Sequence, residues 1–105
     1  MLKKEFLIRL SEKDRYRHIH YSNKGKILYF SVQIETAINN VWYSVVRYDT
    51  AHGFAHRDIL NFKGEEISKT PLFNQDYNSA LTFAENDLKL NWESYKTNFL
   101  KNIKQ

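Results

Sequence analysis

Residues 28–49, LYFSVQIETAINNVWYSVVRYD, decide the fold. In the first half Leu28, Phe30, Val32 and Ile34 alternate with Tyr29, Ser31, Gln33 and Glu35. A period of two is that of a strand with one buried face, and Ile38 continues the inward set. Asn39-Asn40 then supplies two adjacent residues that tolerate positive φ, the requirement of a tight hairpin turn. The chain is therefore expected to return as a strand over Val41–Asp49. That strand carries β-favouring residues on both faces, with Trp42, Val46 and Tyr48 on one and Val41, Tyr43 and Val45 on the other. Burial on both sides places it in the middle of a sheet.

The same reading extends in both directions. Lys3–Leu10 and Arg15–Tyr21 read as two earlier strands. In the second, Tyr16, His18 and His20 share one face and Arg15, Arg17, Ile19 and Tyr21 the other. Ser22-Asn23-Lys24-Gly25 is turn chemistry. Downstream, Gly53 permits a bend, Phe54–Phe62 forms the next strand, and Lys63-Gly64 turns it into a short strand over Glu65–Lys69. Thr70-Pro71 is expected to end the sheet, because proline lacks the donor that a ladder needs.

Asp76 has the place and chemistry of a helix N-cap. After it, Tyr77, Leu81, Ala84, Leu88, Trp92, Tyr95, Phe99 and Ile103 recur at steps of three and four. That spacing draws one apolar stripe along a helix of about seven turns. Glu85 and Lys89 form a favourable i,i+4 pair, and Lys101 and Lys104 suit the C-terminal end of the dipole. The expected fold is α+β: an antiparallel β-sheet of about five to six strands with one long C-terminal helix packed across it. It forms a single domain over 1–105, the sheet in 1–70 and the helix in 76–103.

The 42% apolar and 15% aromatic content, with three Gly and one Pro, suits a packed core rather than a disordered chain. With no cysteine, disulfides, thiolate metal sites and cysteine nucleophiles are excluded. The opening MLKKEFLIRL is too charged for a signal peptide, and no apolar run approaches the roughly 20 residues that span a bilayer. A cytoplasmic protein without membrane contact is expected. The net charge of +4 is uneven: residues 1–30 hold eight basic groups against three acidic ones. Such a hairpin suits a polyanionic partner such as RNA, or an acidic protein; lysine and arginine also guard an edge strand against aggregation.

The chemistry concentrates in Arg47–Asp58, where a central strand runs into a turn holding two His, two Arg, two Asp and a Tyr. Imidazoles exchange protons near neutral pH. Thus one of His52 and His56 can remove a ribose 2′-OH proton while the other protonates the leaving oxygen, with Arg47 and Arg57 clamping the phosphate and Asp49 orienting a histidine. Tyr48, Arg15 and Arg17 complete the expected substrate contacts. A metal reading would join His52 and His56, four apart, with His18 and His20. Four-residue spacing shares a face only on a helix, which Gly53 opposes, so neither metal nor cofactor is expected. The purely structural alternative pairs Arg47 with Asp49 or Arg57 with Asp58 inside the turn, with His52 capping backbone groups. A phosphate-binding glycine loop, a nucleophile elbow and a Walker lysine are all missing.

The run Trp42 to Asp58, with Ala80-Leu81-Thr82-Phe83-Ala84-Glu85 and Asn91-Trp92, resembles a family of small uncharacterised prokaryotic domains. More distantly, Arg47-Tyr48-Asp49 and Ala51-His52 are similar to TumE-type toxins of toxin–antitoxin pairs. Thr50 stands where those carry Asn, Gly53 where they carry a second His, and His56 is alone where they have a histidine run. The resemblance implies an RNA-directed, toxin-like effector, a metal-independent ribonuclease with a protein antitoxin as partner. The alternative expectation is a non-catalytic protein-binding module or accessory subunit of a larger complex.

Overall fold

The computed structural model describes residues 1–103. Six strands follow one another: β1 (Leu2–Ser11), β2 (Asp14–Asn23), β3 (Lys26–Ile38), β4 (Val41–Asp49), β5 (His56–Leu60) and β6 (Glu66–Pro71). They pair antiparallel in sequence order, so the sheet is a simple meander with β1 and β6 at its edges. Helix α1 (Tyr77–Ile103) crosses one face. No helix among the described residues is long and apolar enough to cross a membrane. Lys104, expected at the helix terminus, lies outside the described residues.

Local chemistry explains the turns. Asn39 and Asn40 have φ of 53° and 66°, and Lys24 and Gly25 have 50° and 80°. Two successive positive values give a turn whose twist matches that of the flanking strands. The β6 strand continues through Pro71, past its expected end, because it is an edge strand and a proline there leaves no interior partner without a donor. Asp76 caps α1, its Oδ1 accepting from the Ser79 N–H at 2.8 Å.

The core lies between sheet and helix. Tyr16, Phe30, Val32, Ile34, Val45, Val46 and Tyr48 meet Ala80, Leu81, Ala84, Leu88 and Phe99. Tyr77, Trp92, Tyr95 and Ile103 pack around them half-buried. Two inward assignments change. Leu28, near the start of β3, is 46% exposed. In β4 the register shifts by one residue at Ile34–Glu35, so that Val45 and Val46 are both buried. That bulge reverses the alternation before it. Tyr43 reaches Phe99 on the helix side, and Trp42 turns to the other face, where the Arg15 guanidinium lies 3.8 Å over its ring.

Candidate functional site

The face away from α1 is polar, and strand register dictates its layout. Arg17 pairs with Gln33, Gln33 with Arg47, Arg47 with Asp58, and Asp58 with Lys69, one row crossing five strands. One row over, Ile19, Ser31, Asp49, His56 and Pro71 are aligned. Tyr21 and Tyr29 face each other on the same surface, rings 5.9 Å apart. Glu35 is clamped by Arg15 at 2.6 Å and Arg17 at 2.9 Å and receives Gln33 as well. Burial works against its charge, but these three donors outweigh it and hold Glu35 below the ordinary glutamate range.

Where β4 pairs with β5, the two rows meet in a charged cluster. His56 Nε2 lies 3.0 Å from Asp49 Oδ1 and 3.4 Å from Asp58 Oδ2. Arg47 approaches Asp49 at 3.0 Å and Asp58 at 3.8 Å, and Lys69 approaches Asp58 at 3.5 Å. The Nδ1 of His56 contacts the Phe54 carbonyl at 3.1 Å. A carbonyl only accepts, so this nitrogen carries the proton. Gly53, at φ 83°, lets the turn fold back. The His52 ring therefore stacks 5.8 Å from His56 and the Phe54 ring sits 5.2 Å away. His52 is exposed, whereas the His56 side chain is 1% exposed beneath it. Ala51 N–H donates to Asp49 Oδ1 at 3.0 Å, tying the turn to the cluster.

The residues singled out in the sequence thus fall into two groups. His52, His56, Arg47 and Asp49 come together, with Arg15 and Arg17 farther along the same face. Tyr48 and Arg57 do not join them, because each is one residue out of phase and points to α1. Tyr48 donates to Asp87 at 2.7 Å. Arg57 donates to Tyr95 at 3.1 Å and to Thr70 at 3.2 Å. Burial, followed by the nearby Asp87 carboxylate, raises the pKa of Tyr48 and of Tyr95, so both hydroxyls stay protonated. The phosphate clamp of Arg47 with Arg57 is accordingly not formed.

His18 and His20 are also on the helix side, separate from the other histidine pair. Tyr16 Oη, His18 and His20 make a chain of 2.7 Å contacts, with Phe6 stacked on His18 at 4.4 Å. Glu85, expected to pair with Lys89, has its carboxylate 3.6 Å from His18. Asp58 and Lys69 complete the open-face cluster and were not among the expected site residues. The available signal was a hairpin centred on His52-Gly53, since 47 and 58, like 49 and 56, lie equidistant from it.

Fold and site together define a six-stranded antiparallel meander, helix-covered on one face, with a histidine–aspartate–arginine cluster on the other. The chain belongs to the family described as Domain of unknown function (DUF7718), whose model matches residues 1–105. No curated protein and no solved structure matches it.

Proposed function

We propose that this is a cytoplasmic, RNA-directed effector that holds single-stranded RNA on the uncovered sheet face and cleaves it beside His52. The observation that carries the reading is the make-up of that face: the Tyr21–Tyr29 pair, Trp42 under Arg15, then Arg17 and Arg47, leading to the exposed His52. Aromatic faces stack bases whatever their sequence, and guanidinium groups take phosphates in bidentate fashion. The similarity of Arg47-Tyr48-Asp49 and Ala51-His52 to TumE-type toxins supports the same reading, with a protein antitoxin as partner.

In this reading His52 removes the 2′-hydroxyl proton as that oxygen attacks phosphorus. Arg47, with 36% of its side chain exposed, stabilises the charge on the phosphorane. His56 and Asp49, buried below, are positioning residues that hold the 50–55 turn, and the leaving 5′-oxygen takes its proton from solvent. On a single-stranded RNA oligomer the parent produces 2′,3′-cyclic phosphate ends. His52→Ala slows this by about 10²–10⁴-fold, with a melting temperature within a few degrees of the parent. Cleavage that survives His52→Ala sinks the catalytic reading.

The exposed outer edge of β1 favours a second reading, a protein-binding module or accessory subunit. Its backbone is unpaired on one side, and Leu2 and Leu7 are 73% and 50% exposed. Such an edge accepts an added strand. Loss of a purified partner on Leu7→Glu, in a protein without action on RNA, supports it.

A further inference from the structure

We propose that Asp49, His56 and Asp58 bind a divalent first-row transition cation, with two carboxylate oxygens and one imidazole nitrogen as ligands. The three are all buried, and each offers a ligand atom within 4.8 Å of the others. Two of their three spacings fit a common ion. Ligands about 2.1 Å from a cation, at about 90–110° to one another, lie about 3.0–3.4 Å apart. The His56 Nε2 contacts to Asp49 and Asp58 measure 3.0 and 3.4 Å. Residues 49 and 56 face each other across β4 and β5, and 58 follows on the same face, so the set stands on rigid strands rather than on a loop.

The histidine is prepared for this role. Its Nδ1 donates to the Phe54 carbonyl, which leaves Nε2 as the nitrogen that faces both carboxylates. Metal-bound imidazoles are held by the same outer contact. Asp58, whose side chain is only 5% exposed, turns Oδ2 toward His56, while its buried Oδ1 has Lys69 Nζ at 3.5 Å and makes no hydrogen bond. A buried carboxylate is costly unless its charge is well neutralised, and a cation on Oδ2 adds to that neutralisation. Arg47 pairs with Asp49 at 3.0 Å and lies 3.8 Å from Asp58, and Lys69 lies 3.5 Å from Asp58. Their side chains are 36% and 28% exposed, so both can turn to water when an ion with the same total charge enters. A mixed nitrogen and oxygen set suits Mn²⁺, Fe²⁺ or Zn²⁺ better than Ca²⁺, with water in the remaining positions.

The inference does not depend on the RNA reading, and its test measures the ion instead of RNA. Mn²⁺ titrated into the full chain and followed by electron paramagnetic resonance should saturate at one ion. Pulsed measurement of the bound ion should detect one ¹⁴N coupling from the His56 ring. Asp58→Asn and His56→Gln should each weaken binding about 10–100-fold, while Lys69→Met retains or tightens it. No saturation below about 1 mM (a binding energy of about 4 kcal/mol), or a bound ion without nitrogen coupling, overturns the proposal. Because the coupling is read on the parent chain, the result stands even where a variant fails to fold.

Discussion

His18 illustrates how burial sets chemistry one residue at a time. Its side chain is 1% exposed, with Phe6 stacked on it, Tyr16 and His20 at its two nitrogens, and Lys4, Lys89 and Glu85 around it. Burial, and then the neighbouring His20, Lys4 and Lys89, lowers its pKa to about 4. In the unfolded chain the value returns to about 6.5. Between these values the unfolded state takes up a proton that the folded state refuses. The contribution of His18 is thus fully present above pH 6.5 and is lost as pH falls toward 4. Urea midpoints should decline over that window, and less steeply in His18→Gln; equal slopes in parent and variant contradict the assignment. Tyr16, His18 and His20 sharing the core-facing side follows from alternation alone. The chain of contacts among them does not, since it depends on where Phe6 and Glu85 arrive.

At the scale of elements, turns and caps carry stability that local sequence announces. Asn40 holds φ at 66°. A β-branched residue there meets the left-handed penalty, so Asn40→Val should cost about 1–2 kcal/mol, whereas Asn40→Gly should be close to neutral; denaturant midpoints read both. Asp76→Ala removes the acceptor for Ser79 N–H and should cost about 1 kcal/mol. In a domain of this size that is a fall in Tm of about 4–8 °C. Both elements were readable because Asn-Asn and Asp at those positions act through their own backbones. The β4 bulge was not readable. Val45-Val46 is an ordinary strand sequence, and only the packing of both valines against the core, with Trp42 moved out to Arg15, reveals the extra residue.

For the whole molecule, the placement of α1 governs what is stable. The helix lies mainly along β3 and β4. The β1 strand pairs only with β2 and exposes most of its side chains. Opening free energy follows buried contact, so β1 amides should exchange with deuterium well before those of β3 and β4. Uniform protection across the sheet contradicts this. Truncating the helix stripe at Leu88, which is 0% exposed, should cost about 2–5 kcal/mol and weaken every strand in the same exchange experiment. Arg17→Gln on the opposite face removes one of the two guanidinium partners of Glu35 and keeps Arg15, so it should lower stability only modestly. In the proposed RNA reading it lowers affinity and flattens the salt dependence, which a filter-binding titration over ionic strength measures.

The sequence by itself determined the strand alternation outside β4, the positions of the Asn-Asn turn and the Asp76 cap, and the helix stripe, because each is a periodicity or a backbone preference expressed within a few residues. It also determined that His52, His56, Arg47 and Asp49 lie near one another, since one turn carries them. Only the tertiary structure decided that Arg57 and Tyr48 turn away to Tyr95 and Asp87, that Glu35 gathers Arg15 and Arg17, and that Asp58 and Lys69 close the cluster. Those outcomes depend on cross-strand register and on which face the helix covers, and both are fixed by burying the most apolar surface over the whole chain at once.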